Sequence, residues 1–521
     1  MMFPCRPLVD VLKHRGVADP ELFLAPSTWS DMPSPFLIEG MEEAVASILA
    51  VVRSQKRIGV YGDYDCDGVL SCAIVEATLR KLGARPVIYL PHRDEGYGFT
   101  EAAVHRFSRS GTDLVLTIDN GINAAGPVRL AQRLGMDVII VDHHYIETRA
   151  KAPAVWSSEF CAAGLGLMLC WALLEAAGNG AAETLGFVAS MSRLAAIASI
   201  ADCVPLTGAT RTLTRIGLAE LASTRHAGLR KLLLLAGVRP SQAPSSEQIA
   251  FRIAPRINAA GRVGHPEEAL RMLNAASERE RIDLAASLDI LNRERRRIEK
   301  EALKELVLIV QKDIQKEVPA GLVVYGPQWK KGIAGILASR ARERYGVPTV
   351  VLVHDARTGM AVGSGRSVEG FSLITALRAC SSALHRFGGH SQAAGVTVAV
   401  EKIPEFRRLF ERFLLEHPPK PMKTPEAEAD LNLDLTNSGF FEQLRSMEPF
   451  GIGNPTPIFR VGNAIVRSAT PGFVFVRQGK REIKARSAEP VTGDGTALLA
   501  LNGTTASLIG FDEKGRNLRA I

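Results

Sequence analysis

The sequence predicts an α/β protein: a parallel-sheet domain and a second α/β domain joined by a long helix, followed by a small β-barrel-like module. Three observations predict it. From Arg57 onward, short apolar strands alternate with helices of ten or more residues, the pattern of a parallel sheet with crossover helices. Residues 276–316 contain neither Pro nor Gly and are dense in Arg, Glu, Leu and Ile, which predicts one or two long connecting helices. After residue 457, short strand-like runs are separated by Gly and Asn-Gly turns, as in a small all-β module. With 521 residues, and about 150 residues per domain, three to four domains are expected.

In chain order, residues 1–56 form a lead-in broken by Pro4, Pro7, Pro20, Pro26, Pro33 and Pro35, with one amphipathic helix over 40–54. The first domain is expected over 57–235. Strands are predicted at 58–61, 87–90, 114–118 and 138–141. Helices are predicted at 69–82, stopped by Gly83, at 101–110, capped by Thr100, and at 123–134, stopped by Gly135. Residues 160–235 are helical and rich in Ala and Leu. Residues 236–320 form an inter-domain segment with the long connector. Its run Arg293-Glu-Arg-Arg-Arg297 reads as a solvated helix face laced with Glu294 and Glu299. The second α/β domain is expected over 321–428, with strands at 322–325, 349–353, 360–363 and 396–400 and a helix at 333–345. A Pro/Lys/Glu linker at 416–428 precedes the module over 429–521, which is short for a full barrel.

Composition excludes several classes. Hydrophobic residues are 46% and charged residues 23%, ordinary globular usage, which rules out disordered and collagen-like chains. The longest uncharged apolar stretch, 161–174, is too short for a membrane span of about 20 residues, and no secretory signal is read at the N-terminus, so a cytoplasmic protein without membrane association is expected. The net charge of +8 leans mildly towards a polyanionic partner. The seven cysteines show no C-x-x-C pair and are expected to be reduced and mostly buried.

The chemistry lies at the strand ends. Strand 58–61 runs into Gly62-Asp63-Tyr64-Asp65-Cys66-Asp67-Gly68, strand 114–118 into Asp119-Asn120-Gly121, and strand 138–141 into Asp142-His143-His144. Alone, the first motif reads as readily as a plain turn, Asp119-Asn120-Gly121 more readily so, and Asp142-His143-His144 less so. All three at the carboxyl edge of one parallel sheet, where open α/β folds bind ligands, do not read as turns. Crowded buried carboxylates need compensation, and no Lys or Arg lies inside the motifs. Two divalent cations supply it. Carboxylate and imidazole donors without thiolate suit Mn²⁺ best, with Mg²⁺ the alternative. Such ions about 3.5–4 Å apart activate water and stabilise a leaving oxygen in phosphoryl transfer. Cys66 is expected to point into the core by alternation.

These strings resemble the motifs of the DHH phosphoesterase superfamily. Ala201-Asp-Cys-Val-Pro-Leu206 is similar to its fourth motif, and Pro255-Arg-Ile-Asn-Ala-Ala-Gly-Arg262 to a string of the RecJ-type exonucleases. Trp329-Lys-Lys-Gly332, Gly363-Ser-Gly-Arg-Ser367 and Gly388-Gly-His390 with Ala393-Ala-Gly395 resemble a DHHA1-type second domain. Glu448-Pro-Phe-Gly-Ile-Gly-Asn454 resembles the join to an oligonucleotide-binding (OB) barrel. The resemblance runs from about residue 55 to 460. It implies hydrolysis of single-stranded DNA from the 5′ end to mononucleotides, in repair and recombination. It implies Asp65, Asp67, Asp119, His143 and Asp202 as metal ligands. Asp63 and Asp142 become supporting groups, and His144 a further catalytic, substrate-side group.

On the substrate side, Ser364, Arg366, Ser367 and His390 form an expected phosphate clamp. Arg256, Asn258 and Arg262 are expected to line the cleft between the domains, against a helix-cap and core reading. Residues 461–521 carry nine basic side chains (Arg467, Arg477, Lys480, Arg481, Lys484, Arg486, Lys514, Arg516 and Arg519) against five acidic ones. Phe473 and Phe475 stand among them as candidates for base stacking, although alternating Phe more often faces a core. A monomer is expected, with single-stranded DNA, a helicase and a single-strand-binding protein as partners. Two rival readings are a DHH phosphodiesterase acting on short RNA or cyclic dinucleotides, which needs neither the long connector nor a basic module, and a non-catalytic DNA-binding scaffold.

Overall fold

A computed structural model describes residues 5–96, 98–239, 242–313, 318–420, 426–503, 505–513 and 519–520. The first sheet contains β1 (Ile58–Tyr61), β2 (Val87–Tyr89), β3 (Leu114–Ile118), β4 (Asp137–Asp142) and β5 (Ala154–Trp156), in the order β2-β1-β3-β4-β5. All its pairings are parallel. Every residue of β1 and β3 is buried because helices cover both faces. Ile58, Val60, Leu116 and Val141 face a core with the helices Cys66–Lys81 and Ala162–Ala176. Tyr61, Val115 and Ile140 face another with Glu101–Arg109 and Ala125–Arg133. The three-residue edge strand β5 carries no periodic signal of its own.

The helix expected at 69–82 starts earlier, at Cys66, with Asp65 as its cap. Asp67 and Gly68 therefore sit in its first turn. Cys66 is buried as expected, but by its place at the start of the helix and not by strand alternation. Helix Ala181–Ala201 is long and apolar enough to cross a membrane by length and composition, yet it packs on its two neighbouring helices and on Cys66–Lys81. The first core also continues beyond residue 235, through Ile249, Ile257 and Met272 to Leu288.

The connector is a single helix, Glu278–Asp313, of 36 residues, or about 54 Å at 1.5 Å per residue. Residues 314–316, also expected to be helical, lie outside the described residues. Its arginines pair along the face as expected, Arg297 with Glu294 at 2.7 Å and Glu301 at 2.8 Å, and Arg295 with Glu299 at 3.0 Å. Its far half is more than a linker, because Ala302, Leu306 and Val310 belong to a core of the second unit.

That unit is built on β6 (Leu322–Tyr325), β7 (Thr349–Asp355), β8 (Met360–Arg366), β9 (Arg386–Gly389) and β10 (Ala393–Val398), in the order β6-β7-β8-β10-β9. Only β6 and β7 run parallel. Gly363–Arg366 is thus strand and not a glycine-rich turn. A Cβ on Gly363 would lie 2.0 Å from the Val351 carbonyl oxygen, so glycine there serves a close approach of β8 to β7.

The last unit contains β11 (Ala429–Asp430), β12 (Ile458–Ser468), β13 (Phe473–Gln478), β14 (Arg481–Arg486), β15 (Gly493–Leu501), β16 (Ala506–Glu513) and β17 (Arg519–Ala520). The circuit β12-β13-β14-β16-β15 closes back on β12. The module is therefore a complete five-stranded barrel, despite its brevity. Part of the missing core comes from the far end of the chain: Leu8, Val11 and Leu12 of helix Arg6–His14 pack into it. Arg15 donates to Glu428 and Asn454, both at 2.9 Å. All seven cysteines are free, five of them buried.

Candidate metal centre and inter-domain cleft

β1, β3 and β4 are parallel neighbours, so their carboxyl ends share one rim. The Asp65 side chain accepts from the Asp67 and Gly68 amides at 3.0 and 3.1 Å, capping the helix that follows. Asp67 lies in the first turn of that helix, and its two oxygens accept from Ala162 and Ala163 at 2.7 and 2.8 Å, at the N-terminus of another helix. Asp119 follows β3 in a left-handed conformation, φ +64°, one that Asp tolerates better than most residues. Asp202 ends helix Ala181–Ala201. The imidazole of His143 stands among them, with Nε2 3.2 Å from Asp119, 3.6 Å from Asp67 and 3.6 Å from Asp202.

Asp142 turns the other way. It accepts from the amides of Ile122, His143 and His144 at 3.0, 2.8 and 3.2 Å, and from Nδ1 of His144 at 2.7 Å. It fixes the tautomer of His144 and the path of the backbone. Three sets of donor atoms lie close enough to share an ion: Asp67, His143 and Asp202; Asp63, Asp65 and Asp119; and Asp119, His143 and His144. Asp63, expected as a supporting group, thus stands with the potential ligands.

The electrostatics fit cations. Burial, and then the charges of the other carboxylates, push Asp63, Asp67, Asp119 and Asp202 above the ordinary range. Burial, and then His144, hold His143 down to about 4, so it is a neutral donor at pH 7. Burial pushes the thiols of Cys66 and Cys203 up, which leaves oxygen and nitrogen as the donors. These residues suit Mn²⁺ or Mg²⁺.

The string at 255–262 forms a helix, Ala254–Val263, that buttresses the rim. The Asn258 side chain accepts from the Cys66 amide at 2.9 Å, and a Cβ on Gly261 would lie 2.1 Å from the Tyr64 carbonyl oxygen. Arg262 is half-buried and donates to the Gly332 carbonyl at 3.0 Å, which joins the two α/β units. Burial, and then the charges of Arg93 and Arg295, push its guanidinium down, while Asp65 pulls it back. Arg256 is committed elsewhere. It binds Asp289 at 2.9 Å, the Leu235 carbonyl at 3.0 Å and the Arg252 carbonyl, which argues against the expected substrate contact.

In the second unit, Arg366 donates to the Ser364 hydroxyl at 2.6 Å and to the Gly365 carbonyl at 2.8 Å. Ser367 is buried and gives its hydroxyl to the Phe371 carbonyl at 2.8 Å, a structural duty. His390 is exposed at the end of β9, with its ring 6.5 Å from that of Tyr145, the residue after His144. The clamp expected from the two glycine-containing segments 363–367 and 388–390 thus lies on a strand and a strand end. Sequence reasoning missed Arg93, whose Nε donates to the Gly261 carbonyl at 3.2 Å and whose guanidinium lies 4.0 Å from the centre of the Tyr64 ring. Its signal was present: it follows β2, whose carboxyl end reaches the same rim.

On the barrel, Val474 and Val476 point inward, while Phe473 and Phe475 point out, against the core reading. Lys484 sits 4.4 Å from the centre of the Phe473 ring. Lys514 and Arg516 lie outside the described residues.

Comparisons with known proteins agree with this geometry. The family model for the DHH family, N-terminal domain, matches residues 57–198, and that for the DHHA1 domain matches residues 319–416. The single-stranded-DNA-specific exonuclease RecJ of Bacillus subtilis is 35% identical over 454 residues, 84% of this chain. The chain spans only 56% of the length of that relative. RecJ of Dickeya dadantii is 34% identical over 81% of this chain and 78% of its own. Among solved structures, RecJ of Thermus thermophilus in complex with Mn²⁺ superposes with a TM-score of 0.81 at 28% identity, covering 99% of this chain and 76% of the other.

Proposed function

The chain belongs to the RecJ family of single-stranded-DNA-specific exonucleases, and on that premise we propose that it is a metal-dependent exonuclease that hydrolyses single-stranded DNA from the 5′ end to mononucleotides, in DNA repair and recombination. The observation that carries this reading is the meeting of Asp63, Asp65, Asp67, Asp119 and Asp202 with His143 at one rim, facing a cleft lined with guanidinium groups.

Asp67, His143 and Asp202 would hold one divalent ion, and Asp63, Asp65 and Asp119 a second, Mn²⁺ before Mg²⁺. When bound, such ions lower the pKa of a water and stabilise the charge of a leaving oxygen. The chain's own residues do the rest. Arg262, Arg93 and Arg366 would bind phosphate oxygens across the cleft, with His390 from the second unit. Burial pulls the His144 imidazole down, but its hydrogen bond to Asp142 and the charges of Asp142, Asp63 and Asp65 together outweigh burial and raise it. It would steady phosphate charge or pass a proton to the leaving oxygen. Phe473, Phe475, Lys484 and Arg467 on the barrel would hold the uncleaved 3′ portion of the strand by stacking and charge. A dinucleotide needs no such surface, which supports the long substrate over the short one. The reading has the chain acting as a cytoplasmic monomer away from membranes, with a helicase and a single-strand-binding protein supplying its substrate. The divisions at residues 57, 236, 321 and 429 carry over as working boundaries.

The test is a 5′-labelled and a 3′-labelled oligonucleotide incubated with Mn²⁺. Labelled mononucleotide should appear first from the 5′ label, and Asp119→Ala should abolish cleavage with an unchanged circular-dichroism spectrum. Wild-type turnover by that variant, or faster cleavage of an RNA trimer or a cyclic dinucleotide than of the long strand, would overturn the reading.

A further inference from the structure

Helices Cys66–Lys81 and Ala181–Ala201 each carry rim residues at one end: Asp65 and Asp67 at the start of the first, Asp202 at the close of the second. Further along both helices, away from the rim, lies a cavity of about 470 Å³. Four arginines line it: Arg80 from the first helix, Arg193 from the second, Arg225 from the loop before helix Ala227–Leu235, and Arg281 from the start of the long helix. Met191 and Leu273 add apolar wall, and no carboxylate lines it.

The guanidinium groups are only partly compensated: the charge of Glu220 acts on Arg193 without forming an ion pair with it. Arg80 pairs with Glu76 at 2.6 Å, and Arg281 donates its Nε to the Ala275 carbonyl at 2.6 Å. Arg193 has neither hydrogen bond nor ion pair among the described residues, although its Nε is shut off from solvent. His226 does not relieve the charge, since its ring bridges the Leu273 carbonyl and the Leu229 amide as a neutral tautomer would. A buried donor without a partner costs free energy, and like charges around one cavity add repulsion. An anion would remove both costs at once.

We propose that this cavity binds a small phosphate-bearing anion of nucleotide size. Several guanidinium forks around a concave site match phosphate oxygens. The volume falls in the range of small-molecule pockets, about 300–1,000 Å³, and a lone phosphate would leave most of it empty. Met191 and Leu273 offer the apolar surface that a base or ribose would cover. The site lies outside the rim and does not depend on the nuclease reading.

The experiment is calorimetric titration of the full chain, kept metal-free with chelator, with ATP, pyrophosphate and adenosine in turn. ATP should bind and adenosine should not. ATP binding more tightly than pyrophosphate assigns a nucleotide, and equal binding assigns the diphosphate group alone. The double variant Arg193→Gln/Arg281→Gln should weaken ATP at least tenfold while cleaving single-stranded DNA at the wild-type rate. If the double variant does not fold, Arg225→Gln, at an exposed position, should show the same weakening. Absence of binding at millimolar ATP, or unchanged affinity in a folded variant, overturns the proposal. So does a parallel loss of single-strand affinity, which would assign the cavity to DNA backbone.

Discussion

Chelating the metal and raising the pH should destabilise this protein, and the rim sets the size of the effect. Burial, and then the charge of Asp65, push Asp63 up to about 8. Burial, and then the charge of Asp67, push Asp202 up to about 9. In the unfolded chain both would ionise near 3.9. Between pH 7 and 8 these two groups therefore give the folded, metal-free protein up to two protons that the unfolded chain does not hold, and Asp119, also raised, acts in the same sense. A raised carboxyl stabilises fully only below its unfolded pKa, and that contribution is lost as the pH climbs through the folded one. Each excess proton costs on the order of 1 kcal/mol per pH unit, so the loss is roughly 1–3 kcal/mol per unit. The lower figure allows for Asp202, whose side chain is 29% exposed. For a unit of this size that is several degrees in melting temperature per pH unit. His143, held down to about 4, acts in the opposite sense, mainly below its unfolded value near 6.5, so it opposes the loss only at the lowest end of the range. Saturating Mn²⁺ binds the ionised carboxylates, so it should flatten the slope and stabilise more at pH 8.5 than at pH 6.5. Differential scanning fluorimetry across that range, with chelator or with Mn²⁺, reads both. A flat profile in chelator, or a Mn²⁺ shift of equal size at both ends, would refute the crowding of carboxylates at this rim.

Three further outcomes are expected. Asp142→Asn keeps one oxygen for the His143 and His144 amides and for His144 Nδ1, but takes the acceptor from the Ile122 amide and the charge from His144. Activity should fall about 10–100-fold, and a kinetic limb that reports protonated His144 should move to lower pH, as a pH–rate profile will show. Gly261→Ala drives a methyl into the Tyr64 carbonyl, so urea unfolding should show a loss of about 1–3 kcal/mol, with weaker Mn²⁺ binding as the loop shifts. Phe473→Ala with Phe475→Ala should weaken long single strands by about 1–3 kcal/mol per base lost in fluorescence anisotropy, and leave cleavage of a trinucleotide unchanged.

The rim was legible because two local signals compose into a global one. A run such as Leu114–Ile118 reads as a buried strand from its own residues, and parallel pairing then sends every carboxyl end to one edge. What stayed hidden depends on partners remote in sequence. Helix Arg6–His14 shows an apolar face but not its destination, a barrel more than 400 residues away. Gly363–Arg366 looks like a phosphate loop because glycine usually marks turns, yet here it answers the close approach of β7. The alternation of Phe473 and Phe475 names a face without saying which side is core. Val474 and Val476 decide that only once the barrel closes.

The string Pro255–Arg262 shows how far helical geometry could have sharpened the reading. At 100° per residue, Asn258 and Arg262 are four apart and share a face, with Gly261 beside them. Arg256 is two residues from Asn258 and about 200° around the axis. The observed partners follow that division. Asn258 reaches the Cys66 amide, Gly261 touches Tyr64, and Arg262 sits near Arg93 and the Gly332 carbonyl, all towards the rim and cleft. Arg256 reaches Asp289 on the long helix and the carbonyl of Leu235 on the other side. One short helix thus uses one face to position the metal loop and the opposite face to anchor itself to the scaffold. Rigidity at the rim is thereby tied to the same long helix whose far half helps build the second unit, and the cleft between the units is set by that shared helix and the Arg262–Gly332 contact rather than by a flexible linker.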